Sequence, residues 1–263
     1  MPDRRDSVQS LERAFDLLEA LGDGGELGVT ELANRTGLVP STAHRLLHTL
    51  AKRGYVSQSS ESGRYLLGYK VVEVASGLER RLERLRVVAR PHLEGIQRAT
   101  GETVNLVVLD ADRVVYVDQV EGSRQVRMFT TVGTSVPAHT TGSGKAILAN
   151  GPSEAVEALY GGREPLQRLT EHTVTTLDAL EADFARIRRR GYAFDDEEHE
   201  DGVGCVAVAV FDHSGRPTAA ISVSGPSARI LGSNASRLGS LLVGHAATVS
   251  DALGFESAAA LGA

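Results

Sequence analysis

The chain has 263 residues, of which 41% are hydrophobic and one, Cys205, is a cysteine. This length can bury a substantial core, in one large domain or two smaller ones. A single cysteine excludes an intrachain disulfide and fits a reducing cytosol. The longest apolar run, residues 205–211, is far shorter than the roughly 20 residues of a membrane-spanning helix. Residues 1–10 also lack an apolar signal segment, so we expect a cytoplasmic protein without a membrane segment.

The net charge of −6 argues by itself against nucleic-acid binding, but the charge is unevenly distributed. Residues 1–70 contain nine basic and nine acidic side chains, so the acidic excess lies after residue 70. Within residues 35–70, six basic side chains accompany Glu61 as the sole acidic one. A basic patch on an acidic chain is typical of a DNA-binding domain joined to a domain with another role.

The first 70 residues show the pattern of three helices followed by a hairpin. Apolar residues at helical spacing predict a first helix that ends at Gly22: Val8, Leu11, Phe15, Leu18 and Leu21. Thr30 is the expected N-cap of a short second helix that ends at Arg35. A third helix, from about Ser41 to Arg53, has an apolar stripe of Ala43, Leu46, Leu47 and Leu50. We expect these stripes to be used inside the domain, so that residues 1–80 alone dimerise weakly.

The polar face of the third helix predicts contact with DNA. At about 100° per residue, Ser41, Arg45, His48 and Lys52 lie opposite the apolar stripe, and Thr42 and His44 complete the candidate contacts. Donors and cations on one face suit a helix that enters the major groove. The hairpin that follows predicts a wing, with Arg64 at its tip to meet a phosphate. Together these elements predict a winged helix-turn-helix; the alternative is a small helical packing module with a solvated charged face.

Residues 69–100 are helical in pattern and heavily charged, and Pro91 predicts a break or a new helix. We predict a DNA-binding domain at residues 1–78, a linker helix at 79–86, a second domain at 87–255 and a disordered tail at 256–263. In the second domain, strands are expected at 105–110 and 113–119, with extended chain at 128–132. Helices are expected at 142–149, with Thr141 as N-cap, at 177–190, and from about residue 238 to Gly254. This mixture predicts an α+β domain with an antiparallel sheet.

Residues 191–225 form the most distinctive stretch. An acidic segment, 195–201, is expected to be a loop, and it leads into a Val-rich buried strand at 205–211. A turn follows, and a second strand, 218–224, alternates Ala220, Ser222 and Ser224 with Ile221 and Val223. The resulting hairpin presents small hydroxyl groups on one face, which suits a small polar ligand.

This stretch resembles the effector-domain signature of the IclR family of bacterial transcriptional regulators. The matching residues are Gly191, Asp195, Glu198, Cys205-Val206-Ala207 and Val210-Phe211-Asp212, and a second matching segment spans Val136 to Ala146. The resemblance covers about residues 6–254. It implies a GAF-like fold for the second domain and a regulator that binds an operator in double-stranded DNA. It also implies a homodimer or a dimer of dimers, with a pseudo-palindromic operator and no cofactor.

The resemblance further implies an effector site. Its polar positions match Gly142, Ser143, Asp195, Cys205, Ser222 and Ser224, and its apolar wall matches Met128, Val136 and Val203. From the residues themselves, a helix that begins at Gly142 presents free N–H groups to an anion, so a carboxylic or aromatic acid is the expected effector. The alternative is that the glycines only allow close helix packing. Family members often have Ala where this chain has Ser143, which adds a hydroxyl group.

Other chemistries fit the sequence poorly. Gly144-Lys145 lacks the Ser/Thr and the first glycine of a P-loop, and Ser143 lacks the flanking glycines of a nucleophile elbow. Cys205 with His199 and Asp195 could form a nucleophile site, but a cysteine in an apolar strand is usually a small buried hydrophobe. The histidines show no metal-ligand spacing. We therefore expect neither catalytic nor metal-binding residues; the alternative is an enzyme or small-molecule-binding protein with a helix-turn-helix-like module.

Asp195 presents a conflict, because it brings a carboxylate to a site expected to bind an anion. It could face a donor on the ligand, take up a proton on binding, or only hold the shape of the 196–201 loop. We favour the ligand donor here, because Ser222 and Ser224 supply further polar partners for a hydroxylated acid. On that interpretation Asp195→Asn weakens the response, most strongly for ligands that bear a hydroxyl group.

Overall fold

The computed structural model describes residues 8–128 and 130–255, except for the side chain of Arg81. The chain divides into two compact units, with the boundary between Arg81 and Leu82. This boundary lies inside the linker predicted at residues 79–86. The tail predicted to be disordered, residues 256–263, lies outside the described residues.

The N-terminal unit contains three helices and a two-stranded antiparallel hairpin, and a fourth helix begins in it. The elements are α1 (Gln9–Gly24), α2 (Val29–Arg35), α3 (Pro40–Lys52), β1 (Val56–Gln58), β2 (Tyr65–Leu67) and α4 (Lys70–Thr100). Buried apolar side chains from α1, α2, α3 and both strands form one core. The winged helix-turn-helix arrangement is confirmed. Helix α2 starts one residue before Thr30, because Gly28 takes the extended N-cap conformation, so the predicted Thr30 cap is wrong.

The apolar stripe of α1 is only partly buried. Leu17 and Leu21 pack into the core of the unit, whereas Val8, Leu11 and Phe15 are 58%, 56% and 59% exposed. Tyr69, just before α4, is exposed as well, and so are Val72 and Leu78 near the start of that helix. The expectation that the apolar stripes of this unit are used internally therefore holds for α3 but is wrong for the first turns of α1. The C-terminal half of α1, and not its first turns, packs against the core that α2 and α3 share with it.

Helix α4 continues through Pro91, so the predicted break is wrong. Proline removes one backbone hydrogen bond of a helix and disfavours the turn before it. On either side of Pro91, Ala89 and Leu93 are fully buried in the core of the C-terminal unit. We infer that this packing holds the helix together across the proline.

The C-terminal unit has six strands and several helices. In chain order these are β3 (Thr103–Asp110), β4 (Arg113–Val120), β5 (Ser135–Pro137), a 3₁₀ helix (Ala138–Thr140), α5 (Gly142–Asn150), α6 (Ser153–Tyr160), α7 (Leu177–Arg190), β6 (Ala193–Asp196), β7 (Val203–Phe211), β8 (Pro217–Pro226), α8 (Ser227–Ile230), a 3₁₀ helix (Gly232–Asn234) and α9 (Ala235–Ala252). The predicted strands and the Thr141 cap are present, since Thr141 Oγ1 accepts a hydrogen bond from Gly144 N at 3.0 Å. The extended chain expected at 128–132 contains no strand among its described residues, and α6 and α8 were not predicted.

The strands form one antiparallel sheet in the order β5-β4-β3-β8-β7-β6, with helices on both faces. One face packs against the second half of α4 and against α9, through side chains such as Val206, Ile221 and Val223. The other face packs against α5, α6 and α7, through Cys205, Ala207 and Ala220. This is the expected α+β domain with an antiparallel sheet. The α5 face carries the polar side chains of the predicted hairpin.

Candidate functional site

The polar face of α3 is open to solvent. Ser41, His44, Arg45, His48 and Lys52 are all exposed, whereas Thr42 is half-buried. Ala43 and Leu47 on the opposite side are fully buried and anchor the helix to the core. Within the described part of the chain, Arg45 and Lys52 form no ion pair, so their charges are available to a partner. The structure thus places five of the six predicted residues of this helix on one accessible face.

Arg64 is placed differently from the prediction. It lies beside β2 instead of at the tip of the wing, and its guanidinium is already engaged. Arg64 Nη2 forms a salt bridge with Glu31 Oε2 at 2.8 Å, and Nε donates to the carbonyl oxygen of Glu26 at 3.0 Å. Meeting a phosphate would require these contacts to break. The assignment of Arg64 as a free phosphate contact at the tip is therefore corrected: its side chain ties the wing to the helices.

Three of the predicted polar residues of the second domain lie in one row, which continues onto a fourth strand through a residue that was not predicted. Asp195 on β6 pairs with Cys205 on β7, Cys205 pairs with Ser224 on β8, and Ser224 pairs with Thr103 on β3. Asp195 was expected in a loop, but it is the third residue of a strand, which fixes its side chain toward α5.

A second row lies one pleat further along the same face. It contains Ser222 on β8, Asn105 on β3 and Gln119 on β4. Asn105 Nδ2 donates to Ser224 Oγ at 3.4 Å, which links the two rows. The sheet therefore presents a continuous set of hydroxyl, amide, thiol and carboxyl groups toward the layer that contains α5.

The N-terminus of α5 lies against this row. A Cβ atom added to Gly142 would approach Asp195 N at 3.2 Å and Cys205 Sγ at 3.3 Å. A Cβ atom on Gly144 would lie 2.1 Å from the carbonyl oxygen of Ala138. Both glycines thus serve close packing, as the alternative interpretation held. The N–H groups of Gly142 and Ser143 still have no acceptor within the helix.

The segment after β4 crosses this face of the sheet. Thr103 Oγ1 donates to the carbonyl oxygen of Met128 at 2.8 Å, and Thr130 Oγ1 donates to Asn105 Oδ1 at 2.7 Å. Met128 is half-buried. The segment is therefore tied to the same polar rows that contain the candidate ligand-binding residues.

Two predicted apolar positions lie further apart. Val136 is on β5 and Val203 begins β7, both half-buried. Because β5 and β6 are the two edges of the sheet, hydrogen-bonded pairing does not bring Val136 next to Asp195. Val203 follows the same strand alternation as Cys205, so it extends the α5 face at one end.

Asp195 is 4% exposed and makes specific contacts with the loop that follows it. Its Oδ1 accepts hydrogen bonds from Glu198 N at 2.8 Å and from His199 N at 3.3 Å. Burial, with a smaller contribution from the negative charge of Glu198, raises the pKa of Asp195 to about 7. One carboxyl oxygen therefore holds the loop, which was the third interpretation of this residue.

Cys205 is not an activated nucleophile. Burial, with a smaller contribution from the nearby Asp195, raises the pKa of its thiol to about 12. The His199 ring bonds through Nδ1 to Thr140 Oγ1 at 3.0 Å instead of to the sulfur. Since the thiolate is the reactive form of cysteine, this arrangement argues against a cysteine-based reaction. Tyr116 on β4 approaches the same groups, and burial, then Cys205 and Asp195, raise its pKa.

A buried lysine lies behind the polar row. Lys145 of α5 is 1% exposed; its Nζ contacts Asp183 Oδ2 of α7 at 2.9 Å and donates to Glu198 Oε1. Burial alone would lower the pKa of Lys145, but Glu198 and Asp183 outweigh that effect and raise it. The lysine is therefore charged and joins α5, α7 and the 195–201 loop.

Comparison with known proteins identifies the family. The model of the IclR C-terminal domain of bacterial transcriptional regulators matches residues 81–251, and the model of the IclR helix-turn-helix domain matches residues 10–60. The chain belongs to the IclR family. The transcriptional repressor IclR of Escherichia coli K12 is 38% identical over 250 residues, covering 94% of this chain and 90% of that protein. This IclR-family chain is thus a transcriptional regulator with an N-terminal DNA-binding domain and a C-terminal effector-binding domain.

Solved structures agree over almost the whole chain. The crystal structure of Thermotoga maritima IclR is 34% identical with a TM-score of 0.74, covering 94% of this chain and 99% of that one. An IclR homologue from Microbacterium hydrocarbonoxydans, solved in complex with 4-hydroxybenzoate, is 28% identical with a TM-score of 0.76. The match covers 93% of this chain and 98% of the homologue's chain.

The sequence analysis of this IclR-family regulator missed several residues of the polar face. Thr103 and Asn105 alternate with Val104 and Leu106, so period-two polarity within β3 was the available signal. Lys145 was considered only as part of a P-loop, although its place in an apolar helix called for a buried acidic partner. Thr130 and Tyr116 carried no such signal, because they reach the site through tertiary contacts.

Residues 8–128 and 130–255 contain no helix that is both long and apolar enough to cross a membrane. The same residues contain no cluster of three or more side chains suited to hold a metal ion.

Proposed function

We propose that this regulator binds a small carboxylic acid with a hydroxyl or aromatic group on the α5 face of its sheet. The proposal rests on one observation: buried polar groups from β3, β6, β7 and β8 converge there with the N-terminus of α5. Buried polar groups need hydrogen-bond partners, and a polar ligand supplies them. The free N–H groups of Gly142 and Ser143 favour an anionic group at one end of such a ligand. That a homologue was solved with 4-hydroxybenzoate supports this class.

Isothermal titration with 4-hydroxybenzoate and benzoate tests this proposal. The two acids differ only in the hydroxyl group, so the difference in their affinity measures its hydrogen bonds. Ser222→Ala and Ser224→Ala should each weaken binding of the hydroxylated acid about 2- to 10-fold, the effect of one lost hydrogen bond. Ser233→Ala, an exposed serine of the same unit, is the matched control. Equal affinity in all the serine variants would remove this face from the binding site.

The DNA-bound form is, in our proposal, a homodimer or a dimer of dimers on a pseudo-palindromic operator. Two-fold symmetric proteins read two half-sites related by the same symmetry. The exposed apolar side chains of the N-terminal unit support association, because patches of this kind mark interaction surfaces. One such group consists of Val8, the N-cap of α1, with Leu11 and Phe15 of the helix. Sedimentation of the full chain and of Phe15→Asp tests this: a dimer that Phe15→Asp leaves intact would exclude this stripe.

Operator binding itself is tested by footprinting DNA upstream of its own gene and its neighbours. Protection should fall steeply with salt, because phosphate contacts release bound counterions. Two protected half-sites about one helical turn apart are expected for a dimer. Protection that does not depend on salt would contradict this mode of binding.

A further inference from the structure

Four ionisable side chains are buried together beside the proposed ligand face. Asp195, Glu198, Asp183 and Lys145 are 4%, 7%, 7% and 1% exposed. Two of the three acids, Asp183 and Glu198, contact the buried lysine directly. Two arginines of α7 lie on the solvent side of Asp183 and neutralise that acid from outside: Arg186 Nη2 is 3.3 Å and Arg190 Nη2 is 4.0 Å from its Oδ1.

Glu198 connects all parts of this cluster. Its N–H donates to Asp195 Oδ1 at 2.8 Å, and its Oε1 accepts from Lys145 Nζ. Its carbonyl oxygen accepts from Thr173 Oγ1 at 2.7 Å. Its second carboxyl oxygen, Oε2, is buried without a hydrogen-bond partner in the described part of the chain.

We propose that Glu198 is a positioning residue whose negative charge adds to the burial of Asp195, so that Asp195 takes up one proton when an anionic effector binds. The proton comes from solvent, and the protonated carboxyl then donates to the ligand where a carboxylate would repel it. This inference rests on the proposed function, since it takes an acid as the effector. Its consequence is tighter binding of acids at lower pH.

The balance of charges around Asp195 supports the proposal. Glu198 in the loop forms a salt bridge with Lys145. Tyr116 on β4 and Cys205 on β7 stay uncharged because their pKa values are raised. His199 is also uncharged near neutral pH, since burial lowers its pKa. The buried positive charge of Lys145 lies nearby, and it forms ion pairs with both Glu198 and Asp183. Asp195 is therefore left without a dedicated cation, which agrees with its pKa of about 7.

The geometry also separates proton uptake from the other two interpretations of Asp195. Holding the loop needs only Oδ1, which accepts both backbone hydrogen bonds. A carboxylate that accepted a donor from the ligand would still repel the ligand's own negative charge. A protonated Asp195 holds the loop and also avoids repulsion of the ligand, because Oδ1 still accepts the two backbone hydrogen bonds while Oδ2 carries the proton.

A titration without ligand tests the role of Glu198. Carboxyl carbon NMR of the full chain should show one group that titrates near neutral pH and that Asp195→Asn removes. Glu198→Gln should shift this group at least one pH unit lower, because it removes a negative neighbour and frees Lys145. Glu198→Asp, which keeps the charge, should restore the neutral titration. Glu200→Gln, an exposed acid two residues further on, is the matched control. A wild-type chain with no group that titrates near neutral pH would overturn the proposal.

Binding of 4-hydroxybenzoate tests the exchange of protons. Calorimetry at pH 8 in two buffers of different ionisation enthalpy should report uptake of close to one proton in the wild type and none in Asp195→Asn. Wild-type affinity should fall by up to about 10-fold per pH unit above 7, and Asp195→Asn should bind more tightly than the wild type at pH 8.5. Binding without proton uptake overturns this inference alone. No binding at any pH contradicts the proposed ligand class, and the titration above still decides the role of Glu198.

Discussion

The two units of this regulator place polar side chains in opposite environments. On α3, Arg45 and Lys52 are exposed and form no ion pair with the residues that the structure describes, whereas Lys145 of α5 is buried against two carboxylates. An exposed cation is ready for a large, hydrated, charged partner such as DNA, and its removal costs the fold little. A buried ion pair is strongly coupled to its surroundings, so its removal damages the domain. The difference shows why one unit reads a macromolecule and the other can hold a small molecule.

Lys145→Met should have the largest effect on stability. It leaves Glu198 buried without its cation and takes the buried partner from Asp183, and breaking a buried pair typically costs about 3–5 kcal/mol. The unfolding transition of the C-terminal unit in urea should therefore move to much lower denaturant. Lys70→Met, which breaks the exposed pair with Glu73, is the control and should cost about 0.3–0.5 kcal/mol. Equal effects of the two substitutions would mean that the buried cluster is not a structural unit.

The stability of the C-terminal unit should fall as the pH rises from 5 to 7. The folded pKa of Asp195, about 7, is higher than its ordinary value of 3.8 in an unfolded chain, so the folded state binds the proton more tightly. The stabilisation is complete below about pH 4 and is lost as the pH rises through 7. At about 1.4 kcal/mol per pH unit, the loss between pH 5 and 7 is about 2–3 kcal/mol.

Urea unfolding of the wild type and Asp195→Asn across this pH range measures that loss. The variant should lack it, whereas Asp196→Asn, an exposed neighbour on the same strand, should retain it. A wild-type slope that persists in Asp195→Asn would assign the proton to another group.

Arg45→Ala should weaken operator binding without unfolding the N-terminal unit. One lost base or phosphate contact costs about 1–3 kcal/mol in each half-site. Footprinting over a salt series and thermal unfolding measure the two properties. Arg98→Ala, which removes the same charge from an exposed position of the other unit, is the control. Wild-type protection by Arg45→Ala at every salt concentration would show that α3 does not read the operator.

Arg64→Ala should have the smallest effect. Its pairing with Glu31 is an exposed salt bridge, worth about 0.2–1 kcal/mol to stability. Because the guanidinium is engaged, operator affinity should change much less than in Arg45→Ala. A loss as large as that of Arg45→Ala, at unchanged stability, would show that Arg64 leaves Glu31 to contact DNA.

The sequence by itself determined the elements whose patterns are local. Thr141 caps α5 as predicted, α7 spans the predicted residues 177–190, and Ser222 and Ser224 alternate with Ile221 and Val223 on opposite faces of β8. Caps, helical stripes and strand alternation depend on residues a few positions apart, so the chain records them directly. The family resemblance added the grouping of Asp195 with Cys205 and the two serines.

Only the tertiary structure decided what depends on distant partners. Pro91 stays within α4 because the flanking Ala89 and Leu93 are packed, and Arg64 is occupied because folding brings Glu31 beside it. The meeting of Lys145 with Glu198 joins positions 53 residues apart in the chain. Burial and the charges of neighbours that are remote in sequence set the pKa of Asp195, and no local sequence pattern encodes these effects. The physical reason is that electrostatics and packing act through space, whereas pattern and propensity act along the chain.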